Sequence, residues 1–235
     1  MINSRFLFLF IFVTGSCQLI GQELLSPTDY FSPKTNSYIT LSDKSLLEGK
    51  IKDIERREGI IRTIKIEDGE GKKQKIRAES IRHMYLAPSK KKDANSHTSS
   101  RSKRTVNKAS EKSHQELLDD GFLLFENVLV EEKKKKMVLL MQLLNPEFSE
   151  QVRVYANPIL KESGAVGFGG LTIAGGYAKS YFIKVGKEIG KKIERKNYKK
   201  EFDSLWKNCE ALIRNTSDPD WRDLANHILQ YSACD

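Results

Sequence analysis

The sequence predicts an α+β protein, a small β-rich N-terminal module followed by an antiparallel sheet packed by two C-terminal helices. Three observations carry this. Between Ser37 and Pro88, apolar β-branched and aromatic residues alternate with charged ones in short runs, the pattern of half-buried antiparallel strands. A second set of such runs follows residue 113. Near the C-terminus the apolar spacing lengthens to that of an amphipathic helix.

The chain begins with Met1 to Arg5, carrying one positive charge, then an apolar run from Phe6 to Val13 and the small residues Thr14, Gly15, Ser16 and Cys17. These are the three parts of a secretory signal peptide, so residues 1–21 are expected to be cleaved on export. A membrane span needs roughly 20 apolar residues, and this run stops at Val13. The cut is expected after Cys17 or after Gly21. An alternative route makes Cys17 the lipidated first residue of a lipoprotein, with Thr14 where leucine is usual. The mature chain is therefore expected to be periplasmic, outer-membrane-associated or secreted, with no transmembrane segment.

Residues 28–88 are read as a small antiparallel β module. Its runs are Tyr38 to Leu41, Leu47 to Ile54, Ile60 to Ile66, Gln74 to Arg77 and Ile81 to Leu86. Asp68-Gly69 is a hairpin signal, and Ala78-Glu79-Ser80 is read as a tight turn before the last strand. The pattern leaves open a strongly curved sheet or barrel and a plain meander.

Residues 89–113 form a basic Ser/Lys-rich linker. It holds eight cations (Lys90, Lys91, Lys92, Arg101, Lys103, Arg104, Lys108 and Lys112) against Asp93 and Glu111, so six of the nine excess positive charges sit here. Almost without apolar residues, it cannot offset its ordering entropy by burial. It is expected to be a solvated tether, with an anionic envelope surface as a candidate partner. Nucleic acid is not expected as a partner, because export removes the chain from the cytosol.

Residues 114–235 are read as an α+β domain. Phe122 to Val130 and Met137 to Leu144 flank the charged turn Glu131 to Lys136. Gln151 to Tyr155, Tyr181 to Val185 and Glu188 to Glu194 supply further strands. Tyr198, Phe202, Leu205, Trp206 and Cys209 form one helical stripe, with Asn197 as its expected cap. Trp221, Leu224, Ala225, Ile228 and Tyr231 form a second, opened by Asp218-Pro219.

Once the leader is removed, Cys209 and Cys234 are the remaining cysteines, and in an oxidising compartment they are expected to pair. Two tight antiparallel helices of about twelve residues would hold the sulfurs on the order of 18 Å apart, beyond disulfide reach. The expected bond thus requires Glu210 to Ser217 to run back as an extended connection, with the helices crossing steeply or lying nearly parallel.

No catalytic, cofactor-binding or metal-binding motif emerges. The glycine-rich run Gly164 to Ser180 lacks a lysine directly after its last glycine, as a phosphate loop requires, and strands flank it where a dinucleotide site needs a βαβ unit. His83, His97, His114 and His227 are scattered, no G-x-S-x-G occurs, and only His227 lies near the cysteines, too few ligands for zinc. No cofactor is expected.

The runs IKIEDGEGKKQKIRAESIRHMYLAPS, LLMQLLNPEF, VRVYANP, GGYAKSYFIKVGK and YKKEFDSLWKNCEAL with the closing Cys234 resemble uncharacterised predicted secreted proteins of Bacteroidetes-type bacteria. The resemblance covers most of the chain outside the leader and the basic linker. It implies export and a shared fold, and carries no functional residue. The expected function is a non-catalytic binding or structural component of the cell envelope. The alternative is an unrecognised enzyme acting on an envelope or extracellular polymer near the glycine-rich run, which requires Lys179, Tyr177 or a histidine to line a concavity together with a carboxylate.

Overall fold

The computed structural model describes residues 22–89, 113–159 and 179–234. The expected leader with Cys17, nearly all of the basic linker, His97 and the glycine-rich run up to Ala178 lie outside them. The described residues form an α+β fold around one mixed, mostly antiparallel sheet of ten strands.

The five expected N-terminal strands are β1 (Asn36–Leu41), β2 (Leu46–Arg57), β3 (Ile60–Glu67), β4 (Lys73–Arg77) and β5 (Ile81–Leu86), with a 3-10 turn at Ala78–Ser80. They lie side by side in the order β4-β3-β2-β1-β5. Alternation explains their packing. Ile39, Ile51, Ile54, Ile64, Ile66, Ile76, Ile81 and Met84 all project into one buried cluster, so the sheet curls around its own inner face.

Beyond it follow β6 (Leu123–Glu132), β7 (Lys135–Gln142), β8 (Val152–Ala156), β9 (Ser180–Val185) and β10 (Gly190–Glu194). Phe125 of β6 and Leu140 of β7 complete the isoleucine cluster, and β7 packs over β3 and the 3-10 turn. Asn127 fastens this closure by donating its amide protons to the Ala78 and Ile81 carbonyls. The result is a barrel-like roll in which, among the described residues, β7 covers β3 without pairing to it.

The sheet does not stop at the expected boundary between modules 28–88 and 114–235. β5 pairs antiparallel with β6, from His83 opposite Glu126 to Leu86 opposite Leu123. Farther along, β6 pairs in parallel with β10 through Val130 and Glu131. One strand thereby belongs to both halves. Residues before β1 reinforce the join. Leu24 and Leu25 pack under the helices, the Leu25 amide donates to the Leu144 carbonyl at 2.7 Å, and the Ser32 amide donates to Ala87 at 2.9 Å.

Turn chemistry departs from expectation in two places. Lys133 and Lys134 both adopt positive φ (49° and 65°), a two-residue turn whose twist suits a hairpin, so the flanking charges lie within β6 and β7. In the turn after β3, Asp68 accepts from the amides of Glu70 and Lys72, and Gly71 is the residue with positive φ.

The helices are α1 (His114–Asp119), α2 (Tyr198–Leu205), α3 (Glu210–Asn215) and α4 (Leu224–Ser232). α1 begins with a reciprocal Ser113/Glu116 capping box and lays Leu117 on the outer face of the roll. α2 and α4 are the two expected C-terminal helices. Their stripes, Tyr198 with Phe202 and Leu224 with Ile228 and Tyr231, pack with Trp206 and Trp221 on Val152, Val154, Tyr181, Ile183 and Ile193. Two caps differ. Asn197 makes no side-chain cap bond, and Asp220, rather than Asp218, receives the first amide before α4, from Arg222 at 2.8 Å.

The stretch expected as an extended connection contains α3. Glu210 to Arg214 are mostly good helix formers, with an acid in the first turn and a base in the last, as the helix dipole favours. Cys209 stands at its cap position, and its sulfur accepts from the Leu212 amide at 3.4 Å.

Candidate functional site

Two regions gather polar chemistry. The first lies on the outer face of the roll. Alternation along β5 puts His83 and Tyr85 on that face, β6 contributes Glu126, and β8 contributes Arg153 and Tyr155. Glu126 accepts from the Tyr155 hydroxyl at 2.7 Å and from Arg153 Nη1 through both oxygens at 3.2 Å. Arg153 Nε donates to the Ser149 carbonyl at 3.3 Å. Burial pushes the Tyr155 phenol well up, and the Glu126 charge adds to this. Burial opposes the Arg153 charge, but Glu126 and Tyr155 together outweigh it, so that pKa rises too.

His83 is half-buried, and desolvation lowers its pKa against the pull of Glu126. Its ring meets Tyr85 edge-on, and Tyr85 meets His114 of α1 in the same way. The Tyr85 hydroxyl hydrogen-bonds His114 Nδ1, and burial pushes its pKa up to about 12. This cluster joins β5, β6, β8 and α1. Both carboxylate oxygens of Glu126 are engaged by groups of the protein itself, which makes it a bolt between strands.

The second region is the last pair of helices. Cys209 and Cys234 are disulfide-linked, with Cα atoms 5.7 Å apart across a separation of 25 residues. Cys209 precedes α3 and Cys234 follows α4, so the bond ties the start of one helix to the end of the other. α3 and α4 are therefore the two helices that the bond holds in contact, and the longer helices α2 and α4 need not lie antiparallel. Beside the bond, α3, residues 216–218 and α4 border an open cleft of about 670 Å³, lined by Asn215, Thr216, Ser217, Asp218 and Gln230 over a floor that includes Leu212, Ala233 and Cys234.

A smaller hollow of about 50 Å³ lies between β9, β10 and α2 and is lined by Glu188, Lys191 and Glu201 among others. Burial raises the Glu201 pKa, and Lys207 lowers that of Glu188. Opposed shifts of this kind suit an acid/base pair, but the space holds little more than a water, far below the usual 300–1,000 Å³ of a ligand pocket.

Lys179 stands just before β9, its carbonyl accepting from the Arg195 amide at 2.9 Å, and lines neither hollow. No histidine lines them either. His227 is buried in the helical core against Tyr198, and Tyr177 lies outside the described residues. Among the described residues no three His, Cys, Asp or Glu side chains group as metal ligands, and no helix is long and apolar enough to cross a membrane.

Sequence reasoning missed the Glu126 cluster and the α3/α4 cleft. A signal for the first was present, in single charges interrupting the apolar strands LLFENVLV and VRVYA. For the second it was the polar run Asn215 to Asp218, read only as a connection. Comparison of the chain with protein-family models, with curated proteins and with solved structures found no match.

Proposed function

We propose that this protein is an exported, non-catalytic binding or structural component of the cell envelope. The Cys209–Cys234 disulfide is the observation that carries the reading, since structural disulfides persist in oxidising compartments and are rare in a reducing cytosol. The leader-like run 1–21 agrees with it. Its non-catalytic part is supported by Glu126, whose oxygens are spent on Arg153 and Tyr155, and by two hollows that combine no histidine or Lys179 with a carboxylate. The basic linker 89–113 would supply attachment to an anionic envelope surface.

A non-reduced intact mass of the protein recovered from its native host tests this reading. The expected mass lacks the leader, with the cut at or before Gln22, and is two hydrogens lighter than the dithiol. Retention of residues 1–21, or two free thiols, would overturn export. Turnover of an envelope polymer by the purified chain would overturn the non-catalytic part. Attachment through the linker predicts liposome binding that collapses at high salt and on deletion of residues 89–113, and binding unchanged by both would exclude it.

A further inference from the structure

We infer that the cleft between α3 and α4 is a binding site for a neutral saccharide. This deepens the proposed envelope function and rests on it only for where such a glycan would be met.

Unspent hydrogen-bonding capacity distinguishes the cleft from every other polar cluster described. The side chains of Asn215, Thr216, Ser217 and Gln230 converge on it, and none of the four bonds to another group of the protein. Two amides and two hydroxyls supply donors and acceptors together. A sugar hydroxyl, which donates and accepts at once, needs that mixture. The Glu126 cluster has none of it to spare.

Charge narrows the class further. Among the described lining residues Asp218 is the one ionised group, and Lys199 pairs with it at the rim. Among the described residues no free cation lines the cleft to hold a phosphate, sulfate or carboxylate, and the polar walls suit neither a lipid chain nor an apolar peptide. The floor of Leu212, Ala233 and Cys234 is small and apolar, matching the C–H face of a pyranose ring. A volume of about 670 Å³ lies within the 300–1,000 Å³ of small-ligand sites.

The disulfide gives the site its rigidity. It fixes α3 against α4 at the cleft floor, so ligand binding need not order the walls, and ordering is a main cost of association. Asp218 is the one carboxylate among the described lining residues, whereas glycosidic hydrolysis uses two, so binding without cleavage is the expected outcome.

The test is an NMR titration of the exported chain, residues 22–235, with N,N′-diacetylchitobiose, maltose and mannobiose in turn. At least one should give saturable shifts confined to residues 211–218 and 230–234, unchanged at high salt. Asn215→Ala and Gln230→Ala, both at exposed positions, should each weaken binding by about tenfold through loss of one ligand hydrogen bond, with the unfolding midpoint unmoved. Absence of saturable shifts with all three sugars, shifts elsewhere, or an affinity unchanged from the parent chain in both variants would overturn the proposal. Binding abolished by salt would overturn the neutral class, and cleavage of the disaccharide would overturn binding without turnover. Failure on these counts leaves the export reading intact, since that is judged by the intact mass.

Discussion

The Tyr198 hydroxyl and Nδ1 of His227 share a hydrogen bond of 2.8 Å inside the helical core. The direction follows from a third group. Trp206 Nε1 lies 3.4 Å from the same hydroxyl oxygen, and an indole N–H can only donate. A hydroxyl oxygen could accept from both neighbours, but its own buried proton would then lack an acceptor, so the arrangement that satisfies all three groups has Tyr198 accept from Trp206 and donate to His227. Nδ1 must then be bare, which makes His227 a neutral imidazole protonated at Nε2. α2 is thereby latched to α4 by a polar relay within an otherwise apolar layer.

Protonating His227 would break that relay, and burial already lowers its pKa from 6.5, against the opposing pull of Asp223 and Asp220. The unfolded chain therefore takes up the proton first as pH falls. The stability contribution is complete above about 6.5 and declines from there toward the lower folded-state pKa. His83, lowered in the same direction by burial, adds to the slope. Urea midpoints measured against pH should decline below 6.5, and less so in His227→Asn, whose Oδ1 can still accept from Tyr198. An identical decline in the variant would remove His227 as a cause.

Reduction of Cys209–Cys234 should lower stability by about 3.5 kcal/mol on the chain-entropy account of a 25-residue loop. The loss should centre on α3, whose six residues are too short to persist alone. Hydrogen exchange of the Cys209→Ser, Cys234→Ser double variant reads this directly. Protection should fall across residues 209–217 while β1 to β5 keep theirs. Uniform loss across the sheet would show instead that the bond braces the whole fold.

The strands were legible because half-buried antiparallel pairs write their period into the chain, as Ile64 and Ile66 do around Lys65. The union of the two halves was not. It depends on β6 offering the same edge first to β5 and then, through Val130 and Glu131, to β10, and no local pattern encodes a parallel contact made by residues sixty positions apart. α3 was hidden by its brevity and by a cysteine at its cap position, whereas α1 carried a readable capping box in Ser113 and Glu116 that went unused. Glu126 reads as an ordinary strand charge until the fold brings Arg153 and Tyr155 to it.

That convergence makes Glu126 a test of the seam between β6 and β8. Glu126→Ala leaves the mostly buried Tyr155 hydroxyl without its acceptor, a loss of about 1–3 kcal/mol. The half-exposed Arg153 adds little, because solvent screens its charge. Tyr155→Phe in the same background removes the orphaned hydroxyl and should recover part of the loss. Urea unfolding of the two single variants and the double variant measures the coupling. Strictly additive effects would mean that the 2.7 Å contact contributes nothing in solution.

Gly59 and Gly71 separate backbone conformation from tertiary contact. Their φ angles are nearly equal at +82° and +83°, so an alanine at either position bears the same left-handed penalty of about 1–2 kcal/mol. Around Gly71 there is nothing within 4 Å of an added Cβ, whereas at Gly59 that carbon would stand 1.7 Å from the Pro158 carbonyl oxygen. Pro158 cannot retreat freely. Asn157 before it donates to Ser180 Oγ at 2.9 Å and accepts from the Ile159 amide at 3.0 Å, and Ile159 packs into the outer cluster of the roll. Gly71→Ala should therefore show the conformational penalty alone. Gly59→Ala should lose on the order of 2 kcal/mol more, because accommodating the methyl group pries the end of β8 away from the β2–β3 turn. Urea midpoints of the two variants give the comparison, and equal losses would mean that in solution residues 157–159 do not rest on that turn.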